Sequence, residues 1–354
     1  MNQRDVHGEV ATYYGETLQS SNDLKTNACC AFAAPPAHIR EALTHIHDDV
    51  TNRFYGCGFP VPEALEGAHA ADLGCGTGRD VYLLSQLVGR DGHVHGVDMT
   101  EKQLAVARDT QAWHAERFGF GNVTFHEGRI ESLDMFGDDT LDLIVSNCVV
   151  NLSPDKAQVM REAARVLKPG GEFYLSDVLC DRRLPEDVVR DEVLYGECLG
   201  GAMYDADFLS LCRRTGFLDP RIVETAPIEI HDDAVVAKVG TATFTSVTLR
   251  LFYLPQLEER CEDYGQVATY LGTMPEAPHR FILDDHHVFD AGRPERVCGN
   301  TAMMLSDTRF GRHFRIDGDR STHFGAFPCG STLAMGPAIG GSAPKAEAPS
   351  TGCC

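Results

Sequence analysis

The chain has 354 residues, 43% of them hydrophobic, enough for one large core and a second, smaller one. Its net charge of −21, from 31 basic against 52 acidic residues, would repel phosphate backbones and anionic headgroups, which argues against nucleic acid and membranes as partners. No apolar run approaches the roughly 20 residues that cross a bilayer, and the polar start Met1-Asn2-Gln3-Arg4-Asp5 carries no secretory core.

A cytoplasmic location follows as the expectation. In that reducing compartment, thirteen cysteines read as buried hydrophobes, soft-metal ligands or redox groups rather than as a disulfide scaffold.

From about residue 68 to 178, strand-like runs alternate with amphipathic helical stretches, the pattern of a parallel sheet covered by helices. Ala68 to Leu73 is the first strand and runs into Gly74-Cys75-Gly76-Thr77-Gly78. A helix follows, with Val81, Leu84 and Val88 on one face. Val94 to Val97 is the second strand, ending at Asp98. A helix capped by Thr100 is predicted to run to Phe118, before Gly119 and Gly121.

Val123 to Phe125 is the third strand, and Leu141 to Val145 suits a buried central one. Lys156 to Leu167 reads as a helix with Val159, Ala163 and Val166 on one face, stopped by Pro169-Gly170-Gly171, and Phe173 to Leu175 as the fifth strand. Helical stretches are then expected to Tyr195 and from Asp205 to Thr215. Residues 240–330 read as a separate module that includes β-like Thr241 to Tyr253. The Gly, Ala, Pro and Ser-rich residues 331–354 are expected to be disordered.

Gly74, Gly76 and Gly78 directly after a strand allow a sharp turn and a close approach of ligand to backbone, a weak signal alone because nicotinamide and flavin enzymes use relatives of it. Asp98, at the end of the next strand, can accept the hydroxyls of a ribose. A dinucleotide would put its pyrophosphate at the helix N-terminus, yet Asp72 ends the first strand and Asp80 occupies the first helical turn. Those carboxylates favour a cationic, phosphate-free cofactor.

The run Asp72-Leu73-Gly74-Cys75-Gly76-Thr77-Gly78-Arg79-Asp80 resembles the first motif of class I methyltransferases that bind S-adenosylmethionine, and Asp98-Met99 resembles their second. That resemblance implies a Rossmann-like α/β sheet with helices on both faces. It also implies that Ile130 and Glu131 flank the adenine and that Asn147 lies beside the methionine moiety.

Four cysteines stand out by context: Cys29, Cys57, Cys148 and Cys198. Cys148 follows the fourth strand, so its sulfur is expected to face the cofactor crevice outside the carboxyl ends of the strands. None of the four has the close pairing of a zinc ribbon.

Asn147-Cys148-Val149-Val150-Asn151-Leu152-Ser153-Pro154-Asp155-Lys156, Tyr55-Gly56-Cys57-Gly58 and Gly196-Glu197-Cys198-Leu199-Gly200-Gly201 resemble signature segments of arsenite methyltransferases. The likeness continues through Arg260-Cys261-Glu262-Asp263-Tyr264-Gly265, Leu283-Asp284-Asp285-His286-His287 and Cys298-Gly299-Asn300-Thr301, and covers the chain to about residue 330.

The family resemblance implies that Cys57, Cys148 and Cys198 hold trivalent arsenic, a soft centre that prefers thiolates, with its lone pair aimed at the sulfonium methyl. It implies that Cys29, or its neighbour Cys30, relays oxidation with Cys57 to an external thiol reductant, glutathione or the thioredoxin system. The substrate would be arsenite or its thiol conjugates and the protein partner thioredoxin; a monomer is expected because no long apolar interaction stripe is visible in the sequence. Two alternatives use the same residues differently: methyl transfer to an organic small molecule, or sequestration of a metalloid without turnover.

The implied organisation is an N-terminal segment 1–60 with relay cysteines, a cofactor domain 61–180, an arsenic-binding part 181–239, a smaller α+β module 240–330 and a tail 331–354. Cys75, Cys180 and Cys212 read as structural. Cys261 and Cys298 are candidates for a pair. His38, His45, His47 and the His286-His287 turn, expected to be exposed, are not assigned a metal, and Cys353-Cys354 is not assigned a catalytic role.

Overall fold

A computed structural model describes residues 5–13, 35–52 and 59–329. Its centre is a sheet of eight strands: β1 (His69–Leu73), β2 (His93–Asp98), β3 (Val123–Glu127), β4 (Leu141–Asn147), β5 (Leu167–Cys180), β6 (Met203–Tyr204), β7 (Arg221–Pro227) and β8 (Phe244–Phe252). Seven of them run in the order β3-β2-β1-β4-β5-β8-β7, with β6 beside β5. Pairings among β1 to β6 are parallel, whereas β8 is antiparallel to both β5 and β7.

The two-residue period of the strands divides the core. Ala71, Leu73, Ile144 and Leu175 point to one face, under Val159 and Ala163 of the helix Lys156–Val166. Ala70, Leu143 and Val145 point to the other, under Val81, Leu84 and Val88 of the helix Arg79–Val88. Both faces are covered, as a parallel sheet requires.

Three departures from the sequence reading stand out, the first two with local causes. The helix expected from Thr100 to Phe118 is two, Glu101–Asp109 and Gln111–Phe118. They break at Thr110, whose hydroxyl bonds back to the carbonyls of Val106 and Ala107. Thr100 makes no side-chain cap. Pro169-Gly170-Gly171 does not stop a helix but lies inside β5, which begins at Leu167, where the backbone is already extended.

The third departure concerns the C-terminal module. Residues 244–252, expected within it, form β8 of the large sheet, so the module proper begins beyond Phe252. It comprises a three-stranded sheet (Val267–Tyr270 between Pro294–Arg296 and Phe314–Asp317), two two-stranded ladders and the helix Gly299–Ser306. Its core of Tyr270, Phe281, Phe289, Phe310 and Phe314 is continuous with Phe252 of β8.

Buried ion pairs join module and sheet. Arg221 of β7 bonds Asp219 at 2.6 Å and Asp284 of the module at 3.0 Å. Arg250 of β8 pairs with Glu63 and, at 3.4 Å, with Glu172, to which Arg309 of the module also bonds. Asp284 is therefore a buried counter-ion; in the His286-His287 turn, expected to be exposed, His286 is exposed but His287 is half-buried at 2.8 Å from Asp284. Among the described residues no helix is long and apolar enough to cross a membrane.

Candidate active site

Strand order reverses around β1, whose neighbours are β2 and β4. Loops leaving the carboxyl ends of such strands part and open a crevice. A cavity lies there, at the position where open sheets of this kind bind their ligands.

Asp72, Gly74, Gly76, Asp98, Met99, Ile130, Glu131 and Asn147 all line it, together with Cys148. Ile130 also packs into the apolar layer beneath.

The first loop is pinned to β2 by hydrogen bonds from the Gly74 and Cys75 amides to the Val97 carbonyl, at 2.7 and 3.1 Å. Gly74 has φ +75°, and a Cβ there would sit 2.4 Å from a methyl of Val149, so the position admits no side chain. Asp98 accepts from the amides of Gly76 at 2.9 Å and Thr100 at 2.8 Å, which fixes its carboxylate at the cavity wall. Burial raises its pKa against these bonds.

Burial, then the nearby Asp80 and Asp98, raises Asp72 well above the ordinary carboxylate range. Asp80 is bonded by Arg79 at 2.7 Å and accepts from Asn147 at 3.2 Å. Asp80 is largely neutralised by Arg79, and Asp72 and Asp98 are the carboxylates that a cationic ligand would meet.

Glu131 is held by His7 at 3.1 Å and by the Ser153 hydroxyl at 2.5 Å. His7 and Val10, from the helix Val6–Thr12, close one side of the cavity. Sequence reasoning missed them, along with Arg129 and Ser153. Nothing in the spacing of an isolated N-terminal histidine could have found His7.

The structure brings Cys148 and Cys198 together. The Cys198 thiol donates to the Cys148 carbonyl at 3.3 Å, and each residue is 3% exposed. Among the described residues only four non-glycines have positive φ, and two of them are Cys148 (57°) and Cys198 (62°). Such conformations cost of order 1–3 kcal/mol each and persist where surrounding structure imposes them.

The constraint is visible on both sides. The Cys148 amide bonds the Ser176 carbonyl at 2.8 Å. Beyond Cys198, Gly201 packs so tightly on Asn151 that a Cβ would lie 2.1 Å from the Asn151 carbonyl oxygen. Cys148 is disulfide-bonded. Cys29, Cys30 and Cys57 lie outside the described residues.

Beneath this pair lie Lys156 and Asp177. Burial lowers Lys156 to about 8, opposed by the charges of Asp177, Cys198 and Glu131. Burial raises Asp177 to about 6, although it accepts from the amides of Asn151 and Val178. Cys75, Cys180 and Cys212 are buried free thiols, all with pKa values raised by burial. Cys261 is bonded to Cys329 rather than to Cys298, which is free.

A doubly covered sheet of this strand order, with a glycine loop and a backbone-bonded aspartate at its switch point, defines a class I methyltransferase dependent on S-adenosylmethionine. Residues 65–224 match the family described as "Methyltransferase domain".

Over 331 residues the chain is 55% identical to the arsenite methyltransferase of Aquipseudomonas alcaligenes, covering 93% of this chain and 96% of that protein. It is 45% identical to the mouse (Mus musculus) arsenite methyltransferase, covering 88% and 83%. The crystal structure of an arsenic(III) S-adenosylmethionine methyltransferase from Chlamydomonas reinhardtii superposes with a TM-score of 0.80 at 50% identity, over 83% of this chain and all of that one. The chain belongs to the arsenite methyltransferase family.

Proposed function

We propose that the protein methylates trivalent arsenic held by the thiolates of Cys57, Cys148 and Cys198, with the methyl donor seated by Asp72, Gly74, Gly76, Asp98, Met99, Ile130, Glu131 and Asn147. The observation that carries this reading is the pair of left-handed cysteines, Cys148 on the cavity wall and Cys198 against its carbonyl.

S-adenosylmethionine supplies an electrophilic methyl on a sulfonium. Asp72 and Asp98 complement its positive charge and its ribose. Arsenic bound by three sulfurs is pyramidal and keeps a lone pair. The lone pair forms the arsenic–carbon bond as the carbon–sulfur bond breaks, and the sulfur leaves with its electrons. No base is required because arsenic carries no proton, so rate comes mainly from proximity and orientation.

Methyl transfer leaves arsenic formally pentavalent and cationic. A thiolate from Cys29 or Cys30 then attacks one arsenic-bound sulfur. A disulfide forms, two sulfurs lose one electron each, and arsenic regains two and its trivalent state. Two equivalents of an external thiol, from glutathione or thioredoxin, reduce that disulfide. Cys148 in its disulfide form cannot ligate arsenic until reduced in the same way. The enzyme acts as a cytoplasmic monomer.

The test is incubation with arsenite, S-adenosylmethionine and a thiol reductant, followed by separation of methylated arsenicals. Cys148→Ser and Cys198→Ser are each expected to lose at least 100-fold in rate while still binding S-adenosylmethionine. Full activity in both would overturn the thiolate mechanism.

A further inference from the structure

The site described above leaves three cysteines of the C-terminal module unaccounted for. Cys261, Cys298 and Cys329 bring their sulfurs within 4.8 Å of one another. We propose that, once reduced, they form a second site for trivalent arsenic, apart from the methyl-transfer cavity, none of whose lining they share.

Each sulfur comes from a different segment, and the segments are held together independently of the disulfide. Cys261 precedes the strand Glu262–Asp263, which pairs with Gly325–Ala326 just before Cys329. The ladder continues through a bond from the Phe327 amide to the Cys261 carbonyl at 2.8 Å. Arg296, two residues before Cys298, clamps Asp263 at 2.6 Å. Opening the Cys261–Cys329 bond, whose Cα atoms are 6.3 Å apart, therefore leaves both thiols in place.

Cys298 is the third thiol, wholly buried and free. It is the N-cap of the helix Gly299–Ser306, where its sulfur accepts from the Thr301 amide at 3.4 Å and shares a hydrogen bond with the Thr301 hydroxyl at 3.2 Å. These contacts aim the sulfur at the other two. Cys261 and Cys329 are partly exposed and provide the way in.

The donor set selects the ligand. Among the described residues the group holds three sulfurs and no carboxylate or imidazole, which suits a soft centre, and three ligands suit a pyramidal ion better than the tetrahedral geometry of structural zinc. Two external thiols reduce the disulfide and leave joined as their own disulfide. Arsenous acid then exchanges its three hydroxyls for the three sulfurs, releasing three waters with no change in oxidation state. The oxidised module is closed to arsenic and the reduced module is open.

The test uses the full chain with Cys29, Cys30, Cys57, Cys148, Cys198, Cys353 and Cys354 replaced by Ser, reduced with a phosphine. Bound arsenic is counted after equilibrium dialysis against arsenite, and its sulfur ligands are counted by X-ray absorption. One arsenic with three sulfurs is expected, falling at least tenfold when the phosphine is omitted.

Adding Cys298→Ser, which preserves an N-cap, should weaken arsenite at least tenfold. It should leave phenylarsine oxide, which needs only two thiols, bound by Cys261 and Cys329. If the multiple variant does not fold, Cys298→Ser in the otherwise unaltered chain should bind one arsenic fewer. Absence of arsenic from the folded, reduced variant, or arsenite binding indifferent to Cys298→Ser, would overturn the proposal.

Discussion

Asp98→Asn isolates the contribution of one carboxylate to donor binding. In the structure both Asp98 oxygens are engaged, one by the Gly76 amide and one by the Thr100 amide, at 2.9 and 2.8 Å. Each oxygen retains a second lone pair for a ribose hydroxyl. The amide of Asn keeps one acceptor and replaces the other with a donor, so one backbone N–H and one ribose hydroxyl lose their acceptor. Hydrogen bonds to a charged group contribute about 1.5–3 kcal/mol each. The backbone bond exists with or without ligand, so its loss falls on stability as well as on affinity. An affinity cost of about 2–4 kcal/mol corresponds to roughly 30- to 700-fold in the dissociation constant. Calorimetric titration of reduced protein with S-adenosylmethionine measures it directly, and thermal melts without ligand report the backbone share. A dissociation constant within about threefold of the unaltered protein would refute the assignment of Asp98 to the ribose.

Gly201→Ala should act on arsenic rather than on the donor. Its Cβ would meet the Asn151 carbonyl and push the Cys198 segment away from Cys148, so arsenite methylation should fall about 100-fold, the usual result of displacing a reacting group by about 1 Å. Titration should show donor binding unchanged. Arg221→Leu strands the fully buried Asp284 without its guanidinium and should cost about 3–5 kcal/mol, read as a lower urea midpoint; a loss under about 1 kcal/mol would contradict the buried pair. Asp177, moved by burial from 3.8 to about 6, gives stability that is fully present below its unfolded pKa and is lost as pH rises through about 6. The loss is of order 3 kcal/mol at about 1.36 kcal/mol per unit. Asp177→Asn should therefore gain on the unaltered protein between pH 4 and pH 7 in melting experiments, and a constant difference across that range would be the contrary result.

The cofactor half of the molecule was legible because its signals are local. β4 is a short, mostly apolar run, and β1 and β2, though weaker in apolar content, are marked by the turn signals that follow them; Asp72, Gly74 and Asp98 sit at the ends of β1 and β2, where topology alone requires the crevice. Cys148 was legible for the same reason. The rest depended on contacts between distant segments. β7 reads Arg-Ile-Val-Glu-Thr-Ala-Pro with a mostly half-exposed pattern, and β8 was grouped with the module because antiparallel return to a parallel sheet leaves no mark in a single strand. Pro169-Gly170-Gly171 is a stop signal in helical context, yet here it falls after the chain has already become extended at Leu167. Cys261–Cys329 could not be read, since pairing follows from a two-residue ladder between segments 68 residues apart.

The left-handed backbone at Cys148 and Cys198 separates these residues from the other cysteines more sharply than burial does. Cys212 is fully buried in the helix Asp205–Arg214, Cys180 is fully buried at the end of β5, and Cys75 is nearly so in the glycine loop. None of the three is among the non-glycine residues with positive φ. An alanine or serine in their place would meet no such backbone demand. At Cys148 and Cys198 glycine would relax a strain of order 1–3 kcal/mol at each position, so a site selected only for stability would favour glycine. That the chain carries cysteine at both, with the Cys198 sulfur against the Cys148 carbonyl at the edge of the donor cavity, argues that the thiols themselves are the reason for the strain.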